Sequence, residues 1–333
     1  MNQQTPPDDR ADFTPPQVPE GAFQDRFGVE PGAVIRSMDA AQDDPARQAP
    51  ALRIAIGQVG VDRHHVPLRI SSFGEQTLQC TVTVRTRLPG DQRGIHVSRL
   101  GDLVARLCDQ SFDDLAHAAE ACAREAREIQ HGGATEVEVE GVLAYTVDVP
   151  GWSPQKHKRS LETVGVFGAC HVDDDALTRT TGVAFDHITA CPCVQQTMKH
   201  TARHADDLAE PGDRHPPLLT HSQRCRTRLS VVSAGALPST SALLAAADQA
   251  TFRTRSTLPR EHELALVHAS HQHPQFLEDV LRELAAAVTT GCPALGDGDR
   301  LVLSSTSFES IHEYDLKGEL SCTVGEVRGL LRG

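Results

Sequence analysis

"EQTLQCTVTVRTRLP" at residues 75–89 alternates Thr and Val, and "VSRLGDLVARLCDQ" at 97–110 changes to a helical repeat. The first pattern suits a half-buried strand, because successive side chains point to opposite faces of a sheet. The second sets Leu100, Val104, Leu107 and Cys108 on one helical stripe. Upstream, the β-branched and apolar residues of "ALRIAIGQVGVDRHHVPLRI" (51–70) predict where order begins. Downstream, "SFDDLAHAAEACAREAREIQHGG" (111–133) predicts a second helix, with Ser111 and Asp114 resembling a capping box and Gly132 as the stop. "ATEVEVEGVLAYTVDVP" (134–150) and "RSLETVGVFGACHVD" (159–173) then read as two further strands.

The second half predicts the same order. Strands are expected at "TGVAFDHITA" (181–190) and "CRTRLSVVSAG" (225–235). Helices are expected at "STSALLAAADQATF" (239–252) and at "HPQFLEDVLRELAAAVTTG" (273–291), the latter closed by Gly291. "DRLVLSSTSFES" (299–310) and "EYDLKGELSCTVGEV" (313–327) close the chain as strands. An internal duplication of one ββααββ unit accounts for this order. The expected organisation is a disordered Pro-, Asp-, Gln- and Ala-rich tail over 1–50, a first unit over 51–176 and a second over 177–333.

Composition narrows the function. With 333 residues, 39% of them hydrophobic, the chain is long enough to bury a sizeable core. A formal net charge of −13 and an aromatic content of 4% argue against a nucleic-acid partner, which needs basic surface and stacking rings. Nine cysteines make an odd count without a framework spacing, and "MNQQTPPDDRADFTPP" lacks the charged and apolar regions of a secretory leader. Reduced thiols and a cytoplasmic location are therefore expected. No run of 18 apolar residues is present, so no membrane partner is expected.

Chemistry concentrates in the second half. "CPC" at 191–193 is no zinc knuckle, since that motif needs two C-x2–4-C pairs. Either Cys191 and Cys193 are small buried hydrophobes at a strand end, or they begin a metal site. "LLTHSQRCR" supplies His221 in a polar setting, across a long connection that begins like a helix and ends rich in Pro. Thiolate and imidazole suit a borderline metal such as Zn or Fe(II), and a catalytic site needs a third ligand and an open position. Glu261 and Glu263 precede the last long helix; Glu278 lies inside it, beside its apolar stripe. Glu309 and His312 stand three apart at a strand end, so both can serve one site only if the strand breaks there.

The ordered set "GIHVSR" (94–99), "TACPC" (189–193), "THSQR" (220–224), "HPQFLED" (273–279) and "SFESIH" (307–312) resembles the type IB GTP cyclohydrolase I family, including its archaeal-type branch. The resemblance spans roughly residues 52 to 325. It implies an α+β fold of tandem tunnelling-fold (T-fold) units, each ββααββ with an antiparallel sheet and helices on one face, assembling into barrels. It implies one divalent metal per site (Zn, Mn or Fe(II)) held by Cys191, His221 and Glu263, with Glu261 the near alternative, and no organic cofactor. Glu278 would anchor the guanine, and His312 and Glu309 would line the reacting centre beside Cys191. His96, Arg99 and Arg224 would contact the phosphates. The implied reaction is attack of a metal-activated water on C8 of GTP, release of formate and formation of 7,8-dihydroneopterin triphosphate, the first step of folate and pterin biosynthesis. The implied assembly is a homotetramer with sites between subunits.

Two features depart from the usual pattern of the family. Residues 194 to 220 separate the Cys from the His, and Ser222 stands where the family has Asn. The long separation resembles the archaeal-type branch, whose product is a 2',3'-cyclic phosphate. A non-catalytic purine-binding relative is the remaining alternative.

Overall fold

The computed structural model describes residues 45–74, 76–150, 157–174, 176–204 and 220–332. The expected tail falls on residues 1–44, outside the described residues, up to a short 3-10 turn at Pro45–Arg47. Ten strands and seven helices are described. The strands are β1 (Ile56–Ile70), β2 (Thr77–Leu88), β3 (Ser111–Phe112), β4 (Thr135–Pro150), β5 (His157–Val172), β6 (Leu177–Ala190), β7 (Ser222–Ser233), β8 (Phe252–Arg253), β9 (Arg300–Phe308) and β10 (Leu316–Thr323). The helices are α1 (Val97–Arg106), α2 (Leu115–Ile129), α3 (Pro192–His204), α4 (Thr240–Ala250), α5 (Arg260–Gln272), α6 (Leu277–Gly291) and α7 (Val324–Arg332).

The expected pair of T-fold units, each with its own antiparallel sheet closing into a barrel, is corrected by the sheet topology. All ten strands belong to one sheet, in the order β10-β9-β7-β6-β5-β4-β2-β1-β3, with β8 against β6. The sheet is mixed, because β1 and β3 run parallel. Its path is open, ending on β10 at one side and β3 at the other. The cause is local. A tight turn, in which Asp173 N–H donates to the Ala176 carbonyl (3.0 Å) and Ala176 N–H to Asp173 Oδ1 (2.8 Å), returns the chain from β5 directly onto β6. The two strands then pair from Val172↔Leu177 to Gly165↔Ala184, which joins the halves into one surface.

Local chemistry fixes the helices. Asp114 caps α2 by accepting from His117 N–H at 2.8 Å. Ser111, expected to share that cap, instead lies in β3. Beyond α2, Gly132 stops the helix with φ of +101°, where a side chain would be strained. Gly168 on β5 lets α2 approach closely: a Cβ there would stand 2.3 Å from the Ala116 nitrogen. One continuous core results, to which the sheet contributes Leu68, Val82, Val137, Val183, Leu229 and Leu303. Its helical side comes from α1, α2, α4, α6 and α7.

The opposite face is polar and carries a trough over the small residues Gly165 and Ala184. Arg228 lies across the Phe167 ring, 3.4 Å from its centroid, and reaches Glu138 and Glu140 at 2.6 Å each. No helix among the described residues is long and apolar enough to cross a membrane.

Candidate active site

β7 lies between β6 and β9 and runs antiparallel to both, with Ala190 opposite Ser222 and Arg224 opposite Phe308. The end of β6, the start of β7 and the end of β9 therefore meet at one end of the sheet. Cys191 follows β6, His221 precedes β7, and Glu309 follows β9. Backbone bonds tie the first two: Cys191 N–H donates to the His221 carbonyl (3.0 Å), and Thr220 Oγ1 donates to the Cys191 carbonyl (2.7 Å). Pro192 opens α3, where its missing N–H and fixed φ cost nothing.

The fourth arm is the start of α6. Gln275 N–H donates to the Ala190 carbonyl at 3.2 Å, so the turn before α6 docks on the residue preceding Cys191. The buried Gln275 amide also donates to the Ala250 carbonyl (3.0 Å) and to Glu283 (2.8 Å). Glu278 sits in the first turn of α6, where the helix dipole stabilises a carboxylate.

β9 ends at Phe308, so Glu309 and His312 lie beyond the strand and escape its alternation. Ser307 Oγ donates to Glu309 Oε1 (2.8 Å), and Glu309 N–H to Asp315 Oδ1 (3.2 Å). The His312 ring stacks on Tyr314, with centroids 5.1 Å apart and planes 8° apart. Cys191, His221, Glu278, Glu309 and His312 line one cavity of 430 Å³.

Cys191 is half-buried and Cys193 exposed, so the reading of both as small buried hydrophobes is corrected. Buried thiols elsewhere behave differently: burial pushes Cys80 and Cys122 up to about 12, which keeps them protonated. Below the site, His187 on β6 is buried with Nε2 at 2.9 Å from Thr227 Oγ1, and burial lowers its pKa to about 4.

A model of the family described as "Type I GTP cyclohydrolase folE2" matches residues 43–317. The chain belongs to that family. It is similar to the GTP cyclohydrolase MptA of Thermoplasma acidophilum, 28% identical, over 86% of this chain and 97% of that protein. It is similar also to the GTP cyclohydrolase MptA of Methanocaldococcus jannaschii, 26% identical, over 84% of this chain and 94% of that protein. Among solved structures, the uricase from Arthrobacter globiformis overlays 80% of this chain and 93% of its own at a TM-score of 0.47 and 9% identity.

The cavity does not gather every residue expected in this GTP cyclohydrolase family member. Glu261 and Glu263, expected ahead of a helix, lie inside α5, and neither lines the cavity. His96 is buried at the start of α1, its N–H donating to Gln130 Oε1 (3.1 Å), and Arg99 is exposed on α1. Arg224 is exposed on β7, 5.6 Å over the Phe308 ring and 3.8 Å from Asp186. None of these three lines the cavity. Sequence reasoning missed Gln275, Ser310 and Tyr314; all lie within or beside quoted motifs, but nothing in their spacing marks them.

For a metal, the donor set fits in part. Cys191 and His221 offer a thiol and an imidazole from adjacent strand ends, and His221 Nδ1 already has a partner in Ser310 Oγ at 3.0 Å. Among the described residues, no group of three or more His, Cys, Asp and Glu stands close enough to hold an ion. Glu263 does not complete the set in this arrangement.

Proposed function

We propose that the chain is a GTP cyclohydrolase that opens the imidazole ring of GTP at C8, releases formate and yields 7,8-dihydroneopterin triphosphate. One observation carries this reading: Cys191, His221, Glu278, Glu309 and His312, drawn from four separate motifs, line a single cavity. Cys191 and His221 would hold a divalent metal (Zn, Mn or Fe(II)), which supplies an activated water when bound.

The remaining steps fall to the chain's own side chains. The Glu278 carboxylate, at the start of a helix, accepts from the guanine N1–H and amino group and so fixes the purine edge. His312, held in orientation by Tyr314, moves the proton as the ring opens; Glu309, held by Ser307, takes the second acid–base position. One water opens the ring and a second frees formate. Rearrangement of the ribose and closure of the pterin ring return one water, so the net consumption is one.

A 2',3'-cyclic phosphate product is the second reading. It is favoured by the long separation of Cys191 from His221, part of which is α3. We infer further that the enzyme is a homotetramer with sites between subunits. The mouth of the cavity exposes apolar side chains, Ile311 and Tyr314 at 59% each, as a surface awaiting a partner does. His96 and Arg99 of a second copy would then supply phosphate contacts. The location is proposed to be cytoplasmic.

The test is anaerobic incubation of metal-depleted protein with GTP and Mn²⁺, Fe²⁺ or Zn²⁺ separately. Formate release and the fluorescence of the oxidised pterin are followed, with Cys191→Ala as control. Metal-dependent formate, lost in Cys191→Ala, is the expected outcome, and the product mass chooses between the two phosphates. Absence of formate with every metal overturns the reading.

A further inference from the structure

The loop after β9 touches the β6–β7 pair through a contact that no motif assigns. Ser310 Oγ stands 3.0 Å from His221 Nδ1. A neutral imidazole has one protonated nitrogen and one lone pair, and only the lone pair can ligate a metal. If Nδ1–H donates to the serine oxygen, Nε2 keeps the lone pair. If the hydroxyl donates to Nδ1, the ring proton sits on Nε2 and the ring cannot ligate through it.

We propose that Ser310 is a positioning residue for His221: it accepts from Nδ1–H, fixes the tautomer whose Nε2 ligates a divalent cation, and ties the loop bearing Glu309 and His312 to that ligand. This rests on the reading of His221 as a metal ligand. The loop is braced on its own side by the bonds from Ser307 to Glu309 and from Glu309 N–H to Asp315, and by the stacking of His312 on Tyr314. Ser310 lies between Glu309 and His312, so its bond transmits the position of one ring to both. Cation binding and the placement of the loop become one event. Partners of this kind on metal-ligating histidines are worth roughly 10–100-fold in affinity.

The experiment uses the full chain, stripped by a chelator, in wild-type, Ser310→Ala and Ser310→Thr forms. Co²⁺ and Zn²⁺ affinities are measured by competition with a chromophoric chelator. The tautomer of His221 is read from imidazole ¹⁵N shifts, assigned by their loss in His221→Asn. Expected are an affinity about 10–100-fold weaker in Ser310→Ala, recovery in Ser310→Thr, and an Nδ1–H tautomer in the metal-free wild type. Equal affinity in Ser310→Ala, or an Nε2–H tautomer in the wild type, overturns the proposal while leaving the metal reading intact. A wild-type chain that binds neither cation overturns the metal reading and this proposal with it. Should Ser310→Ala fail to fold, the wild-type tautomer alone decides.

Discussion

Two cavities in this molecule carry carboxylates and nitrogen bases, and they are built on opposite plans. The larger, 680 Å³, is walled by Tyr145, Glu162, Asp248, Arg253 and Arg255. Glu162 is 2% exposed and accepts from Tyr145 (2.6 Å), while Arg255 (2.8 Å) and Arg253 (3.2 Å) pair with it. Arg253 in turn grips Asp248 through two bonds of 2.7 and 2.8 Å. Burial alone would lower the Arg253 pKa; Asp248 and Glu162 outweigh it and hold the guanidinium charged. Burial, and then the bond to Glu162, raises Tyr145. Each charge here is answered within the chain, as a structural network requires.

At the sheet end the plan is reversed. The side-chain contacts of His221, Glu309 and His312 come from Ser310, Ser307 and Tyr314, which orient them without neutralising them. Volume therefore does not mark the site in this protein. What marks it is a set of groups held in place and left unsaturated.

The sharpest way to break the contrast is Glu162→Ala. Removing one member of a buried ion network leaves Arg253 short of a partner and costs about 3–5 kcal/mol. The urea midpoint should fall, while turnover per folded molecule stays unchanged. A variant as stable as wild type would show the network to be decorative.

Next in size is a pH effect at His187, which lies between the two regions and pairs with Arg253 in the register. Its ordinary value is 6.5 and its folded value about 4. Above 6.5 both states are neutral; below it the unfolded chain gains a proton that the native one refuses. Stability is therefore lost as pH falls from 6.5 to 4, by about 3 kcal/mol from this group. His187→Gln should flatten that part of the urea-midpoint profile. An unchanged slope would place the titration elsewhere.

The smallest change belongs to the open site. Glu278→Gln removes charge-assisted bonds worth about 1.5–3 kcal/mol, so KM for GTP should rise about 10–100-fold. Stability should stay within about 0.5 kcal/mol, as at other exposed positions. A large loss of stability with KM unmoved would make Glu278 part of the scaffold.

Much of this is legible in the sequence because the signals are local. The period of two marks β2, and β9 and β10 fall on their expected segments; Ser239 and Asp114 cap their helices directly. α5 escapes because its large apolar residues do not form a buried stripe: Leu264 and Val267 are 66% and 47% exposed. The single sheet is illegible because it depends on which strand β6 joins, and the turn at 173–176 decides that. Motif residues of the site are legible, being grouped in short runs. Ser310 and Gln275 are not, since their roles depend on strand ends far apart in the chain.

That separation has a consequence in time. Ala190, Ser222 and Phe308 become neighbours only when β6, β7 and β9 have paired, and β9 is synthesised long after β6. Closing so long a loop is entropically slow, so this pairing stands late among the folding events. A nascent or truncated chain can hold Cys191 and His221 side by side through β6 and β7 before Ser310 arrives from β9. In the cell, acquisition of the last strands rather than of the motif would set the moment at which the chain becomes competent.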